Sequence, residues 1–161
     1  MLTQRSVGPD VTPPKPTVRS SAAVAHQRES QRRHAALVRA AVNVLTLEGC
    51  WVWKHQVGAL KIGDRFVKFG VAGQSDIIGS MPIRCPESRV LMSEGWLCPA
   101  CSRTGLIPRA MAVECKVGEG RLSPDQESFL AEAARRGWWT FVCRDTIDEL
   151  VKAVRAMMER T

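Results

Sequence analysis

Three short segments of the sequence place acidic, basic and amide side chains in an order that suits phosphate chemistry. Asp76 follows a glycine in the first segment, Glu114 and Lys116 stand two residues apart in the second, and Gln126 lies in the third. Hydrolysis of a phosphodiester needs a hard cation, and Mg²⁺ takes one or two carboxylates together with waters and substrate oxygens. Asp76 and Glu114 would supply these carboxylates, while Lys116 and Gln126 would hold the attacking water or the phosphate.

Each of these segments also has an ordinary structural interpretation. A Glu and a Lys two residues apart on a strand commonly form a solvated ion pair. Gln126 follows Ser123 by three residues with Pro124 between them, which predicts a capping box at the start of a helix. Taken singly, the residues leave both interpretations open.

The apolar pattern predicts the elements that would position these side chains. Helical spacing predicts a first helix over residues 31–48, ended by Gly49 in a left-handed conformation. Strict alternation predicts a strand over residues 110–117 with an apolar core face and a second face that carries Glu114 and Lys116. The other predicted elements are a buried strand at 50–54, a hairpin of strands 60–62 and 65–69, a helix at 123–136, a buried strand at 138–143 and a helix at 146–159.

The order of the last elements predicts the fold class. A strand, helix, strand sequence implies that the last two strands pair in parallel through a right-handed crossover. Together with the antiparallel hairpin, this order predicts an α/β fold with a mixed sheet. The chain of 161 residues is long enough for one domain with a substantial core.

Two segments lack periodic apolar residues. Residues 1–30 contain four prolines, and we predict a disordered basic tail that leaves residues 31–161 as the folded domain. Residues 81–108 hold four prolines and three cysteines and are predicted to be an irregular insertion. Cys98 and Cys101 have the spacing of a zinc knuckle and Cys85 offers a third thiolate. Structural Zn²⁺, a plain cysteine-bearing loop and a redox pair are the three interpretations of this segment.

Composition and charge limit the protein class. The net charge of +7 indicates a polyanionic partner, although six basic residues against two acidic ones lie within residues 1–35. No apolar stretch approaches the roughly 20 residues of a membrane span, and no signal peptide is evident. We therefore expect a cytoplasmic protein whose thiols stay reduced. Three further cysteines lie in apolar runs and are expected to be buried: Cys50, Cys115 and Cys143.

The three segments together resemble a known nuclease group. Their order is similar to that of the PD-(D/E)XK superfamily and, within it, the VRR-NUC group, over about residues 34–155. The matching segments are Gly73-Gln74-Ser75-Asp76, Val113-Glu114-Cys115-Lys116 and Ser123-Pro124-Asp125-Gln126. The resemblance implies a restriction-endonuclease-like mixed β-sheet flanked by helices, here with a cysteine-bearing insertion.

The same resemblance implies a function. It implies a DNA endonuclease dependent on Mg²⁺ or Mn²⁺, with Asp76, Glu114 and Lys116 essential and Gln126 assisting. It also implies a homodimer that acts on branched DNA such as four-way junctions, in phage or bacterial recombination, replication or repair. Relatives usually carry an acid near the start of the first helix, where this chain has His34. Either His34 substitutes as a ligand, or Glu29 or Glu48 helps, or two acids suffice, and we favour the last.

Two other classes of function also fit the sequence. A non-catalytic nucleic-acid-binding module would use the cysteine-bearing insertion and the basic tail, and a protein-interaction role is a third class. Four bases on or beside the hairpin are either a solvated strand face or a DNA-contacting surface: Lys54, Lys61, Arg65 and Lys68. Trp96 lies in the insertion and is not expected to pack in the core. Core packing is predicted for the other four tryptophans: Trp51, Trp53, Trp138 and Trp139.

Overall fold

The computed structural model describes residues 20–56, 58–87, 98–102 and 104–159. These residues form three helices, a four-stranded sheet and a separate two-stranded hairpin. In chain order, the elements are α1 (Ser21–Leu47), β1 (Trp51–Lys54), β2 (Gly58–Ile62), β3 (Arg65–Phe69), β4 (Ile77–Arg84), β5 (Leu106–Lys116), α2 (Pro124–Arg135), β6 (Trp139–Arg144) and α3 (Asp148–Glu159).

The main sheet is mixed, with the strand order β1-β4-β5-β6. Strand β4 pairs antiparallel with both β1 and β5, whereas β5 pairs in parallel with β6. The connection from β5 to β6 runs through α2, so the predicted parallel pairing of the last two strands is confirmed. Helices α1 and α3 join the sheet in one apolar core around Leu45, Met111 and Leu150. Among the described residues, no helix combines the length and the hydropathy of a membrane-crossing segment.

Helix α1 begins about ten residues before its predicted start. Ser20 caps it by accepting a hydrogen bond from the N–H of Ala23, and three alanines in the first five residues favour the helix. Residues 21–30 are thus helical where composition predicts disorder, while residues 1–19 lie outside the described part of the chain. The buried residues of α1 start only at Leu37, so the apolar pattern contains no sign of the preceding turns.

The C-terminal end of α1 follows the sequence prediction. Gly49 has a φ of +84°, and its N–H bonds to the carbonyl of Thr46. The N–H of Cys50 bonds to the carbonyl of Leu45, which completes a Schellman motif. The left-handed glycine stop at this helix is therefore confirmed.

The predicted insertion is shorter than the sequence pattern suggests. Strand β4 continues to Arg84 and β5 starts at Leu106, and these two residues pair with each other. Pro82 and Pro108 face each other within this ladder and break the apolar pattern without ending the strands. Only residues 85–105 lie between the paired strands, and of these residues 88–97 and 103 are not described.

The tryptophans of β1 correct another expectation. Trp51 is 74% exposed and Trp53 is 45% exposed, with their rings 5.3 Å apart. Both side chains project from the same face of the edge strand β1, so the predicted core packing is wrong for this pair. Trp139 is buried and stacks on Phe141, as a core strand requires. Trp138 is partly buried against Phe129, and Trp96 lies outside the described residues.

Candidate active site

Asp76 and Glu114 meet where β4 and β5 are paired near one end of the sheet. The register pairs Ile77 with Val113, which places Asp76, one residue before β4, opposite Glu114. Directly opposed residues of an antiparallel pair share a face, with Cβ atoms about 4.5–5.5 Å apart. The structure therefore brings together the two acids that the sequence analysis selected.

Glu114 is a buried carboxylate with one oxygen occupied and one unused. The residue is 1% exposed, and its Oε1 lies 2.9 Å from Lys116 Nζ and accepts a hydrogen bond from Gln126 Nε2. Its Oε2 is buried and has no hydrogen-bond partner among the described residues. Burial raises the pKa of Glu114 and the nearby charge of Asp76 raises it further, whereas Lys116 and the backbone N–H of Asp76 oppose this shift.

Glu114 and Lys116 do not form a solvated ion pair. Residues Met111 to Cys115 are all buried, so both faces of β5 are covered at this point. The side chain of Lys116 is 15% exposed. Burying a carboxylate oxygen without a partner is costly unless a cation or a donor compensates it. The Oε2 atom thus fits a cation ligand.

His34 contacts the carboxylate of Asp76 through its Nε2 atom. Asp76 Oδ2 accepts a hydrogen bond from the N–H of Cys115 at 2.9 Å and lies 3.1 Å from His34 Nε2. The same Nε2 lies 3.1 Å from the carbonyl oxygen of Cys115. A carbonyl only accepts, so Nε2 carries a hydrogen and has no lone pair for a metal. His34 therefore orients Asp76 through Oδ2, and Oδ1 is the oxygen that can face a cation.

Gln126 combines the two roles that the sequence left as alternatives. Its backbone N–H bonds to Ser123 Oγ at 3.3 Å and its Oε1 accepts from the Ser123 N–H at 3.0 Å, which is the predicted capping box. The same Oε1 accepts from Lys116 Nζ at 2.8 Å, while Nε2 donates to Glu114. The first turn of α2 is therefore fastened directly to the two charged residues of β5.

An open groove of about 370 Å³ runs beside this cluster. His34 and Lys116 line it, together with Gln31 from α1 and Arg121 from the loop before α2. The sequence analysis did not select Gln31 or Arg121. Gln31 reaches the groove because α1 passes beside the end of β5. For Arg121 a local signal exists, since a base in a glycine-containing loop directly after the charged strand is placed for anion contact.

Of the four bases on or beside the hairpin, the three whose side chains are described do not form one continuous patch. Lys54, Lys61 and Arg65 are exposed, but Lys54 belongs to β1 of the main sheet. In the hairpin, Lys61 pairs with Phe66 and Arg65 pairs with Ile62, so Lys61 and Arg65 occupy opposite faces. The side chain of Lys68 lies outside the described part of the structure. DNA contact by these residues stays a prediction.

The six cysteines fall into two groups. Cys50, Cys115 and Cys143 are buried in the main core as predicted, and burial raises the pKa of Cys50 to about 11. Cys85, Cys98 and Cys101 form a separate buried cluster at the base of the insertion. Their sulfur atoms all lie within 4.8 Å of one another, so this cluster could hold a metal such as zinc.

Gln126→Glu separates the two roles of Gln126. Glu is an ordinary capping-box residue, so α2 keeps its cap and Lys116 keeps an acceptor. The donor to Glu114 is lost and a like charge replaces it, so we expect any metal-dependent activity to fall by about 10²-fold or more. Ser123→Ala is the matched control, because it costs about 1 kcal/mol of helix capping and leaves the bonds of Gln126 to Lys116 and Glu114 in place.

Activity and thermal unfolding of both variants provide the measurement. The opposite ranking, with Ser123→Ala less active than Gln126→Glu, would show that Gln126 acts only as a cap.

Comparisons of this chain with models of protein families, with curated proteins and with solved structures found no match. Support for a function therefore comes from the geometry of the cluster and from the resemblance of the three segments that contain it.

Proposed function

We propose that the protein is a DNA endonuclease dependent on Mg²⁺ or Mn²⁺, a member of the VRR-NUC group of the PD-(D/E)XK superfamily whose mixed sheet is of the restriction-endonuclease-like type. The observation that supports this most directly is the Oε2 of Glu114, which is buried and has no hydrogen-bond partner in the described part of the chain, on a residue that lies opposite Asp76. Lys116 lies against the same carboxylate, in the order Asp, Glu-x-Lys that the resemblance requires.

The donors present suit a hard divalent cation. Asp76 and Glu114 would hold the ion through oxygen, and Mg²⁺ typically takes one or two carboxylates and completes its shell with water. Two carboxylates and one ammonium leave a net negative charge, which a divalent ion would reverse and a phosphate would then balance. When bound, the ion would offset charge on the phosphate and acidify a water molecule.

Lys116 is placed to contact the reacting groups. Its ammonium has three hydrogens, of which Glu114 Oε1 at 2.9 Å and Gln126 Oε1 at 2.8 Å engage two. The third is available to a water or a phosphate oxygen in the groove that Lys116 lines. Because both fixed acceptors are themselves held by neighbouring elements, the ammonium needs little reorganisation when charge develops.

The groove provides the route for a DNA backbone. Arg121 and Lys116 supply positive charge along it, and the chain as a whole has a net charge of +7. The proposal includes branched DNA, such as a four-way junction, as the substrate. Paired cuts on such a substrate require two sites related by a two-fold axis, so the proposed active species is a homodimer.

A cleavage assay tests this function. Linear duplex, single strand, flap and four-way junction are incubated with the protein in Mg²⁺, in Mn²⁺ and in EDTA. We expect cleavage only with a divalent ion and preference for the branched substrate. Lys116→Ala should lose about 10²-fold or more. Lys152→Ala, which removes an exposed lysine of α3 that pairs with Glu149, should cleave as the wild type does.

Two outcomes would overturn the proposal. One is a wild-type protein that cleaves no substrate with either ion, and the other is equal cleavage by Lys116→Ala. Binding of DNA with a steep salt dependence but without cleavage would instead support the nucleic-acid-binding module.

A further inference from the structure

The buried cysteine cluster lies at the opposite end of the β4–β5 ladder from Asp76. Cys85 directly follows β4, and Cys98 and Cys101 lie shortly before β5. The ladder runs from the Ile77–Val113 pair to the Arg84–Leu106 pair, and Asp76 and Cys85 lie one residue beyond its two ends, about 30 Å apart along the strand. The cluster is therefore independent of the proposed nuclease site.

The sulfur spacing fits ligands of one tetrahedral ion. Cys85 Sγ and Cys98 Sγ are 3.7 Å apart. A disulfide would bring them to about 2.0 Å, whereas Zn–S bonds of about 2.3 Å at the tetrahedral angle set ligand sulfurs about 3.8 Å apart. Cys101 Sγ lies within 4.8 Å of both. The three sulfurs thus have the spacing of three corners of a zinc site.

Glu87 is the candidate for the fourth corner: its carboxylate lies next to Cys98 but outside the spacing that the three sulfurs share, so its exposed side chain would turn toward Cys85 and Cys101 when an ion binds. Its Oε2 lies 3.6 Å from Cys98 Sγ, and a Zn–O bond of about 2.0–2.2 Å next to a Zn–S bond of about 2.3 Å sets an S···O edge of about 3.5 Å. We propose that Cys85, Glu87, Cys98 and Cys101 bind a structural Zn²⁺. The sequence offers no histidine for this fourth position, because all three histidines lie far upstream of the insertion.

The surroundings of Cys98 favour a ligating thiolate over a plain apolar thiol. Without an ion, burial raises the pKa of Cys98 to about 11. The backbone N–H groups of Cys101 and Ala100 bond to its sulfur and oppose this shift, and such donors would stabilise the negative charge of a metal-bound thiolate. The turn closes with the N–H of Ser102 on the carbonyl of Cys98 at 2.8 Å. Among the described residues, Ile107 is the apolar side chain that packs against the cluster.

The ion would join the two ends of the insertion. It connects the residue that follows β4 to the turn before β5 through Cys85 and Cys98, which are 13 positions apart in the sequence. Such a cross-link lowers the entropy of the unfolded chain in the way a disulfide does, and it remains intact in a reducing compartment. The ladder end at Arg84 and Leu106 is thereby fixed independently of the rest of the insertion.

Metal analysis of the full chain, purified without chelator, tests the site. We expect about one Zn²⁺ per chain by elemental mass spectrometry. Replacement by Co²⁺ should give the visible absorption of tetrahedral cobalt bound to thiolates. Cys98→Ser should lose the metal, and Glu87→Gln should release Zn²⁺ to a competing chelator at least about tenfold faster. Cys50→Ala, which removes a buried cysteine of the main core, should keep the metal.

The proposed zinc site would be wrong if the wild-type protein contains no Zn²⁺ and also shows no absorption of tetrahedral Co²⁺ at one equivalent of the ion. Unchanged Zn²⁺ binding in Cys98→Ser would exclude the thiolates, and unchanged release from Glu87→Gln would exclude Glu87. If Cys98→Ser fails to fold, the cobalt spectrum of the wild type and the release rate of Glu87→Gln decide. Glu114→Gln should retain Zn²⁺, so this test is independent of the nuclease proposal.

Discussion

Glu114→Gln is expected to abolish metal-dependent DNA cleavage, by at least about 10³-fold, without loss of the fold. The substitution keeps the size of the side chain and an oxygen that can accept from Lys116 and Gln126. It removes the negative charge and replaces Oε2, the buried oxygen without a partner, by an amide that holds a cation poorly. The site would then keep its packing and lose its ligand.

The same substitution is expected to leave stability unchanged or to raise it when metal is absent. Burial and the charge of Asp76 both oppose ionisation of Glu114, so removal of its charge relieves an unfavourable interaction. In EDTA we expect Tm to stay the same or to rise by about 2–4 °C, which corresponds to about 1 kcal/mol for a chain of this size.

Thermal unfolding with and without Mg²⁺ checks this prediction. Mg²⁺ should raise the Tm of the wild type, because it binds the folded state, and should have little effect on Glu114→Gln. Glu119→Gln, in the loop after β5, is the control and should respond to Mg²⁺ as the wild type does. A Glu114→Gln protein that still cleaves, or that is stabilised by Mg²⁺ to the same extent as wild type, would remove Glu114 from the metal site.

Elements fixed by local chemistry were predictable from the sequence. The Ser123 cap, Pro124 and Gln126 define the start of α2 within four residues, and Gly49 defines the end of α1. Strand β4 was not predictable, because Pro82 interrupts its apolar pattern. The residue that Pro82 pairs with, Pro108 of β5, is distant in the sequence. The exposure of Trp51 likewise depends on β1 being an edge strand, which no local pattern encodes.

In the candidate site, too, local sequence indicates some features and distant contacts decide the others. Residue types and order select Asp76, Glu114 and Lys116, but their burial depends on elements distant in sequence. Nothing near Glu114 indicates that both faces of β5 are covered. The role of His34 depends on a contact with Asp76, 42 residues away, and with the carbonyl of Cys115. Whether a histidine binds a metal or orients a ligand is decided by such contacts, and the sequence contains no trace of them.

Gly73→Ala is expected to give the largest loss of stability among the predicted variants. Gly73 has a φ of +75°, and a Cβ at this position would lie 2.3 Å from the carbonyl carbon and oxygen of Asp125. The loop before Asp76 is thus packed directly against the first turn of α2. Because backbone must move on one side or the other, we expect a cost of at least about 3 kcal/mol, and Asp76 and Gln126 would separate.

Gly137→Ala distinguishes this close approach from backbone strain alone. Gly137 has a φ of +85°, but a Cβ there would meet nothing within 4 Å. Its cost is therefore that of a left-handed alanine, about 1–2 kcal/mol, and its cleavage activity should equal that of the wild type. Denaturant unfolding and cleavage rates of the two variants provide the measurement, with a loss of at least about tenfold in rate expected for Gly73→Ala alone. Equal losses of stability would mean that the loop and α2 are not in contact, and the positioning of Asp76 against Glu114 would need another explanation.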